Sequence, residues 1–136
     1  MKYKFLEDMT SDVVYEAYGK TLKEIFVNAA EGMFEVICQK DKIEPKDFVE
    51  VDVNADNLED LMFSWLQELI ALVDVEEMFF CKFEILEISE TKLKAKVYGE
   101  PISPAKGETV VKSLTYYKYK FEKVAKRYKV TVSMDI

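Results

Sequence analysis

From Met78 to Ile136 the chain alternates apolar and polar side chains in four successive runs and never returns to a helical period. The runs cover residues 78–88, 92–98, 109–122 and 128–134. Each has a single apolar face, so each needs neighbouring strands for its backbone and a cover for that face. Ser89-Glu90-Thr91 is a short hairpin connection between the first two. Residues 99–107 form a loop carrying two of the three prolines, and Lys123-Val124-Ala125-Lys126 joins the last pair.

The cover lies earlier in the chain. After Gly19, Thr21 and Glu24 have the spacing of a capping box, and Leu22, Ile25, Phe26, Ala29, Met33, Phe34 and Ile37 then recur at helical spacing. Gly32 is a flaw inside this helix, costing roughly 1 kcal/mol relative to Ala. Asp56 and Glu59 repeat the capping spacing before a second helix, whose buried stripe runs from Leu58 through Leu61, Trp65 and Leu69 to Val73. Residues 2–6, 13–18 and 48–53 read as strands. The expected fold class is α+β, with two helices packed on one face of a largely antiparallel (mixed) β-sheet. The order is β-β-α-β-α-β-β-β-β, in a single domain spanning residues 1–136.

Composition narrows the chemistry. The 136 residues include 19 basic and 26 acidic side chains, a net charge of −7, so the chain repels phosphate as a whole and direct nucleic-acid binding is not expected. A Lys-rich C-terminal third, from Lys112 to Lys129, leaves room for a local basic face. No histidine occurs, which removes the commonest zinc ligand and general base. Cys38 and Cys81 lack CxxC spacing and sit in apolar stretches, as two buried thiols rather than a disulfide. The opening MKYKFLED has no apolar h-region, and the apolar stretches are too short to span a bilayer. The expectation is a cytoplasmic protein with no membrane association.

No catalytic constellation emerges. Residues 99–107 contain two glycines but neither GxxxxGK[ST] nor GxGxxG. Gln67 and Glu68 read as solvated helix residues, and Tyr116, Tyr117 and Tyr119 as sheet packing rather than a base-stacking platform. The last strand is more suggestive. Thr131, Ser133 and Asp135 share its polar face, and Ile136 follows with a main-chain carboxylate. Asp12, which closes a polar knot at residues 8–12, would add a third acidic group if its strand lay alongside. Three such oxygen donors suit a hard divalent cation, Mg²⁺ or Ca²⁺. On pattern alone the plainer reading carries more weight: Asp12 as a turn former and Asp135 as a frayed terminal residue.

Asp8-Met9-Thr10-Ser11-Asp12, followed by a strand to Ala17-Tyr18-Gly19, resembles the opening of the archease family, which is close to Asp-His-Thr-Ala-Asp and then Ala-[Trp/Phe]-Gly. Further stretches agree in order: Asn28-Ala29-Ala30 with Gly32-Met33-Phe34, Trp65-Leu66-Gln67-Glu68-Leu69, Gly99-Glu100-Pro101, Lys112-Ser113-Leu114-Thr115-Tyr116 and Asp135-Ile136. The resemblance covers essentially the whole chain.

What the resemblance implies is a non-catalytic activator of an RtcB-type RNA ligase, which joins tRNA halves after intron removal. Such an activator promotes metal- and GTP-dependent guanylylation of the ligase and its repeated turnover. The resemblance also implies a divalent cation (Ca²⁺ or Mg²⁺, with Mn²⁺ a further option) held by Asp12, Asp135 and Ile136. Family members commonly carry histidines where this chain has Met9 and Tyr117, and often an aspartate at Ser64, so no role that needs those groups transfers. The alternative is a chaperone-like or adaptor binding protein whose divalent metal is purely structural.

Overall fold

A computed structural model describes residues 1–7 and 12–136. Residues 8–11, which include most of the polar knot and Met9, lie outside the described residues. The elements follow the expected order: β1 (Tyr3–Leu6), β2 (Val13–Gly19), α1 (Leu22–Ile37), β3 (Asp47–Asn54), α2 (Leu58–Val75), β4 (Met78–Ile88), β5 (Lys92–Pro101), β6 (Ser113–Val124) and β7 (Arg127–Asp135). Every strand pairing among the described residues is antiparallel.

The strands divide between two sheets, with orders β1-β2-β7-β6 and β3-β5-β4. The sequence pattern points to a single sheet, because alternation fixes which face of a strand is buried but not which strand lies beside it. Both helices touch both sheets. α1 packs on β2 and β7 of the first and on β4 of the second; α2 packs on β6 and on β3, β4 and β5. One apolar core results, joining Tyr15 and Val132 from the first sheet to Phe80 and Val97 from the second.

Local chemistry explains the helix boundaries. Thr21 caps α1, its Oγ1 accepting from the Glu24 N–H at 3.2 Å. The reciprocal bond from Glu24 reaches the Lys20 N–H at 2.7 Å, one residue earlier than a capping box requires. α2 starts one residue later than its acidic spacing indicates. Asn57 is the cap, with Oδ1 accepting from the Asp60 N–H at 2.8 Å. Asp56 and Asn57 are equally good caps, and adjacent candidates cannot be separated by propensity.

Two polar contacts pin the helices inside the core. Tyr15, fully buried, donates its hydroxyl to the Ala29 carbonyl at 2.6 Å. Trp65, also fully buried, donates from Nε1 to the Phe26 carbonyl at 3.0 Å, tying α2 to α1. Gly32, a flaw by propensity, is the notch that admits Tyr15. A Cβ there would stand 2.8 Å from Tyr15 Cε2 and 3.2 Å from Tyr3 Cγ. Gly99 serves the second sheet similarly, since a Cβ would land on the Phe79 carbonyl oxygen.

Cys38 is buried and Cys81 half-buried, and neither is in a disulfide. Burial pushes the Cys38 thiol up to about 12, with Cys81 adding to the effect. Glu100, at 6% exposure, is a buried carboxylate. It accepts from Lys106 Nζ at 2.8 Å and from the Glu44 N–H at 3.1 Å, with Lys46 3.8 Å away. These partners, Lys106 foremost, hold its carboxyl below the usual carboxylate range.

Two outcomes follow for stability. Gly32→Ala gains roughly 1 kcal/mol of helix propensity. It also drives a methyl group into a ring that its own hydroxyl holds in place, at a cost of about 1–3 kcal/mol. The net change in urea unfolding is expected to be destabilising, and a stabilised variant would contradict the notch. For Glu100 the folded carboxyl titrates below its unfolded counterpart. Its contribution is therefore complete above about pH 5 and is lost as pH falls through the folded value. The stability gap between wild type and Glu100→Gln should be widest near neutrality and should close below about pH 4.

Candidate metal centre

The first sheet brings the two ends of the chain together. β2 and β7 pair over seven residues, from Val13 opposite Met134 to Gly19 opposite Tyr128. Val13, Tyr15 and Ala17 share one face with Val130, Val132 and Met134, and this face lies against α1. Val14, Ser133 and Asp135 occupy the other face, as does Asp12, two residues before Val14.

Asp12 immediately precedes Val13, whose partner Met134 immediately precedes Asp135. The Ser133 hydroxyl donates to Asp12 Oδ2 at 3.3 Å, a long bond spanning 121 positions of sequence. The Asp12 carboxylate thus stands over the strand face that carries Asp135 two residues further on. Asp135 is in turn flanked by Ser113 of β6, and its carbonyl accepts from the Lys112 N–H at 2.8 Å. Asp135 is half-buried, and Ile136 follows at 39% exposure. The strand end is therefore held on both sides, contrary to the frayed terminus that pattern alone favours.

The donors near this point are hard oxygens, suited to Mg²⁺, Ca²⁺ or Mn²⁺ and unsuited to soft metals. Among the described residues no three His, Cys, Asp or Glu side chains gather as a metal-binding group. Asp12 and Asp135 contribute carboxylates from neighbouring strands, and Ile136 could add a main-chain oxygen. A donor set of two carboxylates and one main-chain oxygen fits a hard cation that keeps part of its water shell.

Ser133 gives no signal of its own in the sequence, because alternation marks it as outward-facing. It is in fact fully buried, and it is the residue that Asp12 touches. Its cross-strand partner Thr115 has a buried hydroxyl with no hydrogen-bond partner among the described residues. Gln67 is also more than a solvated helix residue, since its Oε1 accepts from the Leu114 N–H at 3.0 Å and holds β6 to α2.

The tyrosines beside Thr115 do not pack within the sheet. Four residues, 116–119, face a single residue, Val132, between the pairs Thr115–Ser133 and Lys120–Thr131. This wide bulge turns at Lys118, whose φ is 55°. It throws Tyr116 onto α2, where it stacks parallel to Phe63 with ring centroids 4.2 Å apart. Tyr119 follows, donating to the Glu59 carbonyl at 2.6 Å. Several cations of the Lys-rich third have partners within the fold. Lys129 pairs with Glu16 at 2.8 Å, Arg127 lies over Tyr18, and Lys123 lies over Tyr128.

Comparison with known proteins extends over nearly the whole chain. Residues 3–136 match the Archease protein family (MTH1598/TM1083). The chain is 38% identical to the protein archease of Sulfurisphaera tokodaii, with 99% of each chain covered. It is 40% identical to that of Methanosarcina acetivorans, over 99% of this chain and 96% of the relative. The solution structure of Methanobacterium thermoautotrophicum protein 1598 superposes with a TM-score of 0.81 at 28% identity, covering 98% of both chains. A Thermotoga maritima archease, described as a possible chaperone, shares the fold with a TM-score of 0.68 at 20% identity, over 96% of this chain and 95% of the other. The chain therefore belongs to the archease family.

Proposed function

We propose that this protein activates an RtcB-type RNA ligase in tRNA exon joining, promoting metal- and GTP-dependent guanylylation of the ligase and its multiple turnover without joining RNA itself. The observation that supports this reading is the Ser133–Asp12 hydrogen bond, which sets the Asp12 carboxylate against the strand that ends in Asp135, next to Ile136. Asp12 and β7 come from opposite ends of the chain, and the β2–β7 ladder brings them together.

In this reading Asp12 and Asp135 hold a divalent cation with a main-chain oxygen of Ile136. When bound, the cation supplies a concentrated positive charge suited to ordering nucleotide phosphates. The protein's own residues set the conditions for this. Ser133 orients the Asp12 carboxylate through its hydroxyl, and the Lys112 N–H fixes the Asp135 carbonyl and with it the strand end. A net charge of −7 complements a ligase surface built to attract RNA and speeds encounter at low salt. The chain has no histidine, so activation by it uses no imidazole of its own.

The deciding assay combines the protein with a partner ligase, GTP and a divalent cation and follows the guanylylated ligase. Wild type should accelerate its formation. Asp135→Asn should bind the ligase and keep its thermal midpoint, yet fail to accelerate. No acceleration by wild type over the ligase alone defeats the activator reading. A midpoint that falls in step with activity in Asp12→Ala favours a structural metal instead. Calorimetric titration of the free protein tests the site without the ligase. Ser133→Ala should weaken Mg²⁺ or Ca²⁺ binding by about tenfold or more, the usual effect of removing a partner that orients a ligand.

A further inference from the structure

The last turns of α1 and α2 and the loop between β5 and β6 enclose an apolar groove of about 320 Å³, away from the tyrosine bulge. Ile37, Ile70, Phe79 and Val111 line its buried side. Ile102 and Val110 stand on its open side, 39% and 79% exposed. Val75, at 74% exposure, ends α2 nearby. Apolar side chains left this open beside a concave surface mark a site where something docks.

The charges around the groove select the occupant. Its described lining holds two carboxylates, Asp74 and Glu108, and no cation. Glu76 and Glu77 follow directly at the end of α2, and Lys106 is already committed to Glu100 at 2.8 Å. A helix C-terminus carries the negative end of the macrodipole and favours cations, yet the last turn of α2 has no basic residue. Glu77 also adopts a φ of 52°, a left-handed position usually given to Gly or Asn after a helix. Charge and backbone rules are thus both broken at one lip of an apolar groove, a pattern expected where a partner supplies the missing favourable term.

We propose that this groove docks an exposed segment of the partner protein bearing one or two bulky apolar side chains flanked by Lys or Arg. A second copy of this chain would bring its own excess of carboxylates, and an anionic membrane would be repelled by the same rim. The groove also adjoins the candidate metal centre through the chain. Val111 lines it, and the next residue, Lys112, bonds to Asp135. A segment seated here holds the Asp135 strand end beside the partner. The identity of that partner as the ligase rests on the function proposed above.

The test measures ligase affinity and guanylylation separately, using the full chain. Val110→Glu changes a residue exposed enough to leave the thermal midpoint unmoved, and should raise Kd at least about tenfold. Saturating amounts of this variant should restore acceleration, since the metal centre is intact. The double variant Asp74→Lys, Glu108→Lys should weaken binding and flatten its salt dependence. Binding by Val110→Glu equal to wild type overturns the groove while leaving the activator reading intact. Loss of binding in that variant, with no acceleration even by wild type, upholds the groove and overturns the activator reading. Failure of wild type to bind the ligase at all overturns both, and a wild-type dimer that Val110→Glu dissociates reassigns the groove to self-association.

Discussion

The pairing of β2 with β7 is the constraint on which the rest of the molecule depends. It joins residues 13–19 to residues 128–134, so the chain must close a loop of more than a hundred residues before the ladder yields anything. Burial supplies much of the return, since Tyr15, Ala17, Val130, Val132 and Met134 are all fully buried on the face that meets α1. Charge fixes the register from the other face. Glu16 accepts from Lys129 at 2.8 Å and from the Tyr18 hydroxyl at 2.7 Å, and these contacts, Lys129 first, hold its carboxyl below the usual range. A slip of one residue would turn Tyr15 outward and bring Glu16 into the core. The register that prevents this also brings Asp12 to Ser133.

The helices make that ladder rigid by coupling it to the second sheet. Tyr15 occupies the Gly32 notch and donates to Ala29, while Trp65 donates to Phe26, so β2, α1 and α2 are linked by two buried hydrogen bonds. Phe34 then packs edge-on against Phe80 of β4. A shift of α1 would be felt in both sheets, because close-packed interiors transmit strain.

Much of this is legible in the sequence for a simple reason: burial periodicity is local. The hairpin at Ser89-Glu90-Thr91 and both helical stripes can be read from spacing alone, and the strand bounds Met78–Ile88 coincide with expectation. Pairing between distant strands is not local, so the division into two sheets is not legible. Nor is the bulge at residues 116–119, because Lys118 carries no residue-type signal for its left-handed backbone. The nearness of Asp12 to β7 has a conditional sign: alternation puts Asp135 on the polar face, and only the adjacency of β2 and β7 can supply the rest. Ser133 has none, since a buried serine on an outward face looks like any other strand serine. Its role depends on Asp12, which lies far away in sequence.

Carboxylates near the end of a ladder would ordinarily weaken it, since like charges close together across strands are unfavourable. Here the ladder does not need that end to hold. Seven paired residues and the α1 interface already fix it, and Lys112 secures β7 from the opposite side. A carboxylate can therefore stand at this end of the ladder without endangering it, which is what the proposed cation site requires. The same logic applies at the C-terminal end of α2, where Asp74, Glu76 and Glu77 gather against the helix dipole beside an apolar groove. The groove and the strand end are joined by the stretch from Val111 through Lys112 to Asp135. A partner segment seated in the groove would therefore lie one residue along the chain from the backbone contact that holds Asp135.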